Sequence, residues 1–170
     1  FWTFTGLDDN LDGSLAVELN SGNNNRWLKV ELTGGAGRID GAVANRDGIG
    51  AVVEVTPRRL ASTARPVLGG ASYASQDALE LTFGLGRKRR ATVDITWPGG
   101  TRNRLYGARH GERLQLPEIP CSYDANWPRF SHYAACVHGA LSEWRAAGEI
   151  DRRMKARLLS SALIAYFDAH

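Results

Sequence analysis

The chain has 170 residues, 43% of them hydrophobic, with five Trp, five Tyr and five Phe, enough for one well-buried domain and an appendage. No run approaches the roughly 18–20 apolar residues that cross a bilayer as a helix, which excludes that kind of membrane span. The formal charge of +3 is unevenly placed: residues 1–80 carry 7 Lys/Arg against 10 Asp/Glu, and residues 81–170 carry 14 against 8. An acidic partner for the second half is one reading of this asymmetry. An arginine-rich surface with no special partner is the other.

Phe1-Trp2-Thr3-Phe4 reads as the middle of a β element, without a Met or a charged-then-apolar leader before it. A processed, excised or partly observed chain is expected on that ground. Next comes Asp8-Asp9-Asn10-Leu11-Asp12-Gly13. Oxygen ligands at alternate positions followed by a Gly for the sharp turn are what a calcium loop requires, which makes Asp8, Asn10 and Asp12 candidate ligands. An EF-hand's distant bidentate Glu is missing, and an Asx-rich turn accounts for the same residues.

Short apolar runs broken by Gly, Asn, Asp and Pro then continue to about residue 116. Leu15–Leu19, Trp27–Leu32, Ala51–Val55, Leu79–Phe83 and Thr92–Trp97 read as strands. Within Trp27–Leu32, Leu28, Val30 and Leu32 form an apolar face and Trp27, Lys29 and Glu31 a wet one. Turn signals recur every dozen or so residues. Asn45-Arg46-Asp47-Gly48 supplies Asx hydrogen bonding and a Gly for positive φ, and Trp97-Pro98-Gly99-Gly100 has the residues of a type II turn. Many short strands with Gly-rich turns predict an antiparallel β-sandwich or barrel.

Arg87-Lys88-Arg89-Arg90 is the densest charge run, and it is expected to tip a hairpin before the Thr92 strand. Arg102 and Arg104 are placed by the same reading at the same end. Together these six residues are candidates for gripping an anion: phosphate, a sulfated polysaccharide or an acidic protein face. Nucleic acid is disfavoured, because no aromatic interleaves the run to stack on bases. A solvated turn is the plainer reading.

After Pro117 and Pro120 the period changes. Tyr133, Val137, Ala140, Leu141 and Trp144 share one helical face, and Gly148 offers a stop. Ile150, Met154, Leu158, Ala162 and Tyr166 form a second stripe, opposite Arg152, Arg153, Lys155 and Arg157. Two such helices predict a C-terminal α-helical hairpin whose wide apolar faces pack on the β-domain or on a partner. Cys121 and Cys136 are the only cysteines. One disulfide is the expectation for an exported chain, and buried free thiols are the alternative for a cytosolic one. A zinc site with His132 and His138 fits no common spacing. The sequence contains no P-loop, Rossmann fingerprint, C-x-x-C or G-x-S-x-G. His110 and His170 also lack a catalytic context, so the chain by itself is expected not to be an enzyme.

Five turn motifs stand in order along the middle of the chain: Asn25–Leu28, Asn45–Ala51, Ser72-Tyr73-Ala74-Ser75-Gln76, Phe83-Gly84-Leu85-Gly86 and Trp97–Thr101. Together they resemble the ASPIC/UnbV domain, which ends many extracellular proteins of the cartilage acidic protein type. The likeness runs from about Asn23 to Leu116. Two positions depart from the family: Ser72 replaces a usual Gly, and the basic run at 87–90 replaces polar or acidic residues. The Asp8–Gly13 loop looks like the repeats of the FG-GAP/VCBS propellers that precede such domains, with Ala16 where those repeats carry another Asp. The resemblance implies residues 1–22 as a propeller remnant and 23–118 as the β-domain; residues 119–170, the expected disulfide-linked helical hairpin tail, fall outside it. It further implies an extracellular or periplasmic setting. No catalytic residue or cofactor other than calcium is carried over. A non-catalytic module docking a protein partner or larger assembly follows, with a calcium-stabilised glycan-binding domain and an accessory domain of an enzyme as alternatives.

Overall fold

The computed structural model describes residues 24–70, 73 and 75–170, together with the backbone of two short strands, β1 (Trp2–Thr3) and β2 (Ala16–Val17). These two pair antiparallel. Asp8, Asn10 and Asp12 lie outside the described residues. Seven strands follow: β3 (Arg26–Thr33), β4 (Val52–Pro57), β5 (Thr63–Pro66), β6 (Leu81–Gly86), β7 (Arg90–Thr96), β8 (Arg102–Arg109) and β9 (Arg113–Pro117). They form a three-stranded sheet in the order β6-β3-β9 and a four-stranded sheet in the order β5-β4-β7-β8. Two helices, α1 (Phe130–Ala146) and α2 (Arg152–Ala169), complete the chain. The expected β-rich fold with a C-terminal helical pair is what the chain adopts.

Period-2 alternation sets the faces. In β3, Leu28 and Val30 are fully buried and Leu32 nearly so, while Trp27 remains 40% exposed. Val53 and Val55 of β4, Val93 and Ile95 of β7 and Leu105 of β8 come from the other sheet into the same core as Phe83 and Leu85 of β6. The sheets are not wholly antiparallel. β9 runs parallel to β3, with Val30 opposite Leu114 and Leu32 opposite Leu116. A parallel pair cannot be closed by a tight turn. Here the connection comprises the whole four-stranded sheet together with β6, since β4 to β8 lie between the two partners in sequence.

β5, β8 and β9 escape the sequence reading: β5 and β8 have residues unlike those of the other strands, and β9, although Leu114 and Leu116 alternate with Arg113 and Gln115, is short. β5 is Thr-Ala-Arg-Pro and exposed throughout. β8 opens with Arg102-Asn103-Arg104 before Leu105 and Tyr106, so it lacks an apolar alternation, and its register is broken by a bulge. Ala91 pairs with Ala108 and Val93 with Leu105, so Tyr106 and Gly107 together face Thr92. Gly107 takes φ +66°, a conformation that a Cβ disfavours.

Two of the turns that carry the family likeness, Asn45–Ala51 and Trp97–Thr101, are held by local hydrogen bonds, while Ser72 and Ala74 of the Ser72–Gln76 motif lie outside the described residues. Asn45 clamps its loop from both sides: its Nδ2 donates to the Ile49 carbonyl at 2.8 Å and its Oδ1 accepts the Ile49 N–H at 3.0 Å. The Gly100 N–H donates to the Trp97 carbonyl at 3.0 Å and Gly99 has φ +89°, which closes the type II turn. Trp97 is buried and its Nε1 donates to Asn103 Oδ1 at 2.7 Å.

The helices pair antiparallel and pack on the β-domain rather than standing clear of it. Tyr133 donates its hydroxyl to the Ala162 carbonyl at 2.9 Å, and Lys155 Nζ donates to Ser142 Oγ at 2.7 Å. The predicted face of α1 (Tyr133, Val137, Ala140, Leu141 and Trp144) is buried in full. Gly148 stands just past its end with φ +76°. Asp151 caps α2 by accepting the Met154 N–H at 2.6 Å. α2 lies along β8, where Ser161 Oγ accepts the Tyr106 N–H at 3.2 Å. Cys121 and Cys136 form a disulfide with Cα atoms 6.1 Å apart, tying α1 to the segment leaving β9.

Candidate functional site

The basic run of residues 87–90 does not tip a hairpin. β6 pairs with β3, and β7 pairs with β4 and β8, so the turn carries the chain from one sheet to the other. It closes by a 3.0 Å bond from the Lys88 N–H to the Leu85 carbonyl. A second crossing, from β8 to β9, runs beside it. There the His110 N–H donates to the Arg89 carbonyl at 3.0 Å and the Gly111 N–H to the Trp27 carbonyl at 2.7 Å. Arg26 Nη1 also donates to the Arg87 carbonyl. Both sheet crossings are therefore stitched together at one end of the molecule.

Register also separates the six arginine and lysine candidates. Arg90 stands opposite Arg109, at the crossing end, whereas Arg102 stands opposite Thr96. The seven residues of β7 place those ends about 20 Å apart. Arg102 and Arg104 thus do not join the 87–90 run, contrary to the sequence reading, because antiparallel pairing sends the start of β8 to the far end. They are also occupied. Arg104 Nε lies 2.6 Å from Asp94 Oδ1 and its guanidinium stacks 4.9 Å from the Tyr123 ring centroid. Arg102 Nη1 lies 2.8 Å from Asp124 Oδ2. The Asp124 hydrogen bond holds Arg102 above the ordinary arginine range. Burial opposes the charge on Arg104, yet its bonds to Tyr106 and Asp94 outweigh that and hold it above as well. Asp124 moves the other way: burial works against its charge, but the hydroxyl of Ser122 and the guanidinium of Arg102 keep its carboxyl below the usual range.

At the crossing end the sheets and α2 enclose a cleft of about 470 Å³. Its walls carry five arginines: Arg90 opening β7, Arg109 closing β8, Arg113 opening β9, and Arg153 and Arg157 from the first turns of α2. Only two acids, Glu112 and Asp151, line it, with Met154, Leu114 and Gly107. Both acids are held in place. Glu112 Oε2 accepts the Arg109 N–H at 3.0 Å and Arg157 Nη2 at 3.0 Å, and Asp151 caps the helix. Arg157 also donates to the Gly107 carbonyl at 3.3 Å, the group that the β8 bulge presents. Arg113 pairs with Glu80 at 3.3 Å but stays 69% exposed. Among the described residues, Arg90, Arg109 and Arg153 form no ion pair.

The placement of Arg152, Arg153 and Lys155 at the start of α2 opposes the helix dipole, whose positive end favours acids there; the first turn contains none. Three exposed guanidinium groups without ion pairs and the positive end of a helix therefore line one cleft. Of the six sequence candidates only Arg90 lines it. Arg109, Arg113, Arg153 and Arg157 are dispersed over 49 residues and become neighbours through the sheet crossings and the return of α2. The charged face of α2 and the surplus of +6 in residues 81–170 were the available signals.

The polar groups of the rest of the described interior are engaged within the fold. Every buried side-chain polar atom among the described residues has a hydrogen-bond partner. Glu118, fully buried, spends both carboxylate oxygens on the backbone N–H groups of Gly35, Val43 and Ala44, each at 3.0 Å. Among the described residues no group of three or more His, Cys, Asp or Glu side chains is placed to hold a metal ion.

The family model described as ASPIC and UnbV matches residues 41–121. No curated protein shows significant similarity to the chain. The match starts beyond β3 and ends at Cys121, so the Asn25–Leu28 motif lies outside it, although β3 is the central strand of its sheet. It includes the turns at Asn45–Ala51 and Trp97–Thr101, which gather at the end of the β-domain opposite the arginine cleft.

Proposed function

From the premise that residues 41–121 are an ASPIC/UnbV domain, we propose that the chain is a non-catalytic interaction module that docks an acidic protein partner through the arginine cleft. The observation that carries this reading is the set of three arginines without ion pairs, Arg90, Arg109 and Arg153, in a cleft built jointly by the β-domain and α2. A guanidinium left unpaired beside other guanidinium groups is destabilising unless a counter-charge arrives, and charge complementarity of this kind speeds encounter and selects partners. The disulfide between Cys121 and Cys136 supports an oxidising, exported setting. The family turns act as scaffold, and the chemistry that meets the partner lies at the other end.

Fluorescence anisotropy of a labelled hexaglutamate peptide against the full chain tests this. Binding is expected at low salt, weakening as ionic strength rises toward the range where surface charges are screened. The double substitution Arg109→Glu with Arg153→Glu is expected to abolish it, and Arg46→Glu, at the opposite end, to leave it intact. No binding at low salt, or equal loss with Arg46→Glu, rejects the reading.

A further inference from the structure

The geometry points to a tetrahedral oxyanion of the phosphate type as the group that enters the cleft; this rests on the docking reading and narrows its chemistry. The three arginines without ion pairs belong to three elements: Arg90 is the first residue of β7, Arg109 the last of β8 and Arg153 the second of α2. They therefore approach the cleft from both of its walls. A carboxylate offers two oxygens in one plane and matches a single guanidinium fork. A phosphoryl group offers three oxygens pointing in different directions and up to two negative charges, so one group can bridge forks from separate walls.

The walls themselves reinforce this. The carboxylates already present, Glu112 and Asp151, are each consumed by one or two bonds within the fold. Glu112 joins the walls through the Arg109 N–H and Arg157, but neither carboxylate forms an ion pair with the guanidinium of Arg90, Arg109 or Arg153. Apolar lining is limited to Met154, Leu114 and the Gly107 backbone. A volume of about 470 Å³ admits a phosphate ester with part of its carrier. The basic first turn of α2, unfavourable in the free protein, becomes favourable once a dianion lies beside it.

The test is titration of the isotope-labelled full chain at constant ionic strength, following the arginine side-chain NMR signals. The probes are inorganic phosphate, methyl phosphate, acetate and hexaglutamate. Phosphate and methyl phosphate are expected to shift Arg90, Arg109 and Arg153 at concentrations at least about tenfold below those acetate needs. Methyl phosphate binding as well as phosphate identifies an ester carried by a partner, and much tighter inorganic phosphate identifies the free ion. Arg109→Gln and Arg153→Gln, checked for an unchanged fold by near-UV circular dichroism, are each expected to weaken phosphate about tenfold, the size of one lost charged hydrogen bond. Arg46→Gln is expected to change nothing. If hexaglutamate binds at the cleft but phosphate does no better than acetate, this assignment is overturned and the docking reading stands. If neither binds, both fall. Phosphate binding untouched by Arg109→Gln and Arg153→Gln places it elsewhere and overturns the assignment.

Discussion

Glu118 accepts the backbone N–H of Ala44 at 3.0 Å, across 74 residues of sequence. With the N–H groups of Val43 and Gly35 on the same carboxylate, it fixes the long loop between β3 and β4 against the exit of β9. Its backbone carbonyl accepts Trp144 Nε1 at 2.7 Å, which adds α1 to the same point. Removing the carboxylate leaves two buried donors, the Gly35 and Ala44 N–H groups, and the part-buried Val43 N–H unpaired, each buried one costing about 1–3 kcal/mol. Glu118→Ala is therefore expected to lower stability by several kcal/mol, and Glu118→Gln by less, since one oxygen remains. Urea denaturation of the two variants orders them; equal midpoints for Gln, Ala and the parent would discard this role.

The disulfide closes a separation of 15 residues. Loop-closure entropy assigns a bridge of that length about 3 kcal/mol. Reductant is expected to lower the melting temperature of the parent and to leave the doubly substituted Cys121→Ser, Cys136→Ser protein unmoved. A parent indifferent to reductant would mean that the Trp144 and Tyr133 contacts hold the helices unaided.

Arg153 sets stability against binding. Placed in the first turn of α2 near two other cations, it opposes the helix dipole. Arg153→Glu is expected to raise stability by about 0.3–1 kcal/mol while destroying anion binding. Thermal melts of the isolated chain, with the anisotropy assay alongside, check both signs. A destabilised Arg153→Glu would show that the residue packs rather than waits for a ligand.

Gly107 carries a separable cost. Beyond its chain neighbours, nothing lies within 4 Å of where its Cβ would be, yet φ is +66°. Gly107→Ala is expected to cost about 1–2 kcal/mol from backbone conformation alone. It is also expected to disturb the carbonyl that Arg157 reaches, so phosphate affinity should fall with it. Retained affinity at reduced stability would show that the bulge serves only the sheet.

The Asp124 carboxyl, held below its usual range, gives a pH signature. A group with a depressed folded-state pKa contributes stability above its unfolded value, and that contribution is lost as pH falls through the folded one. Asp124→Asn is therefore expected to be less stable than the parent at neutral pH, with the difference vanishing well below pH 4. The carboxyl is largely solvated, so the difference should be small. A gap that persists at pH 2 would point to packing instead.

Local pattern determined much of this chain. Alternation in Trp27–Leu32 fixed a strand and its buried face, because a half-buried strand must place every second side chain in the core. Asn45, Pro98 and Gly99 fixed their turns by hydrogen bonding and φ preference within four residues. The stripe from Tyr133 to Trp144 fixed α1, and Gly148 its end. Two neighbouring cysteines, Cys121 and Cys136, were expected to pair, and they do. Pairing between distant segments was decided by tertiary structure alone. Nothing near Arg113 announces a parallel partner in β3, and nothing near Arg87–Arg90 tells a hairpin from a passage between sheets, because both need the same turn residues. The cleft follows from those decisions. Arg90 and Arg109 meet through strand register, and Arg153 arrives because the apolar stripe of α2 must lie along β8. Charges have no sequence periodicity that encodes a meeting place; burial of the apolar residues around them sets where they converge.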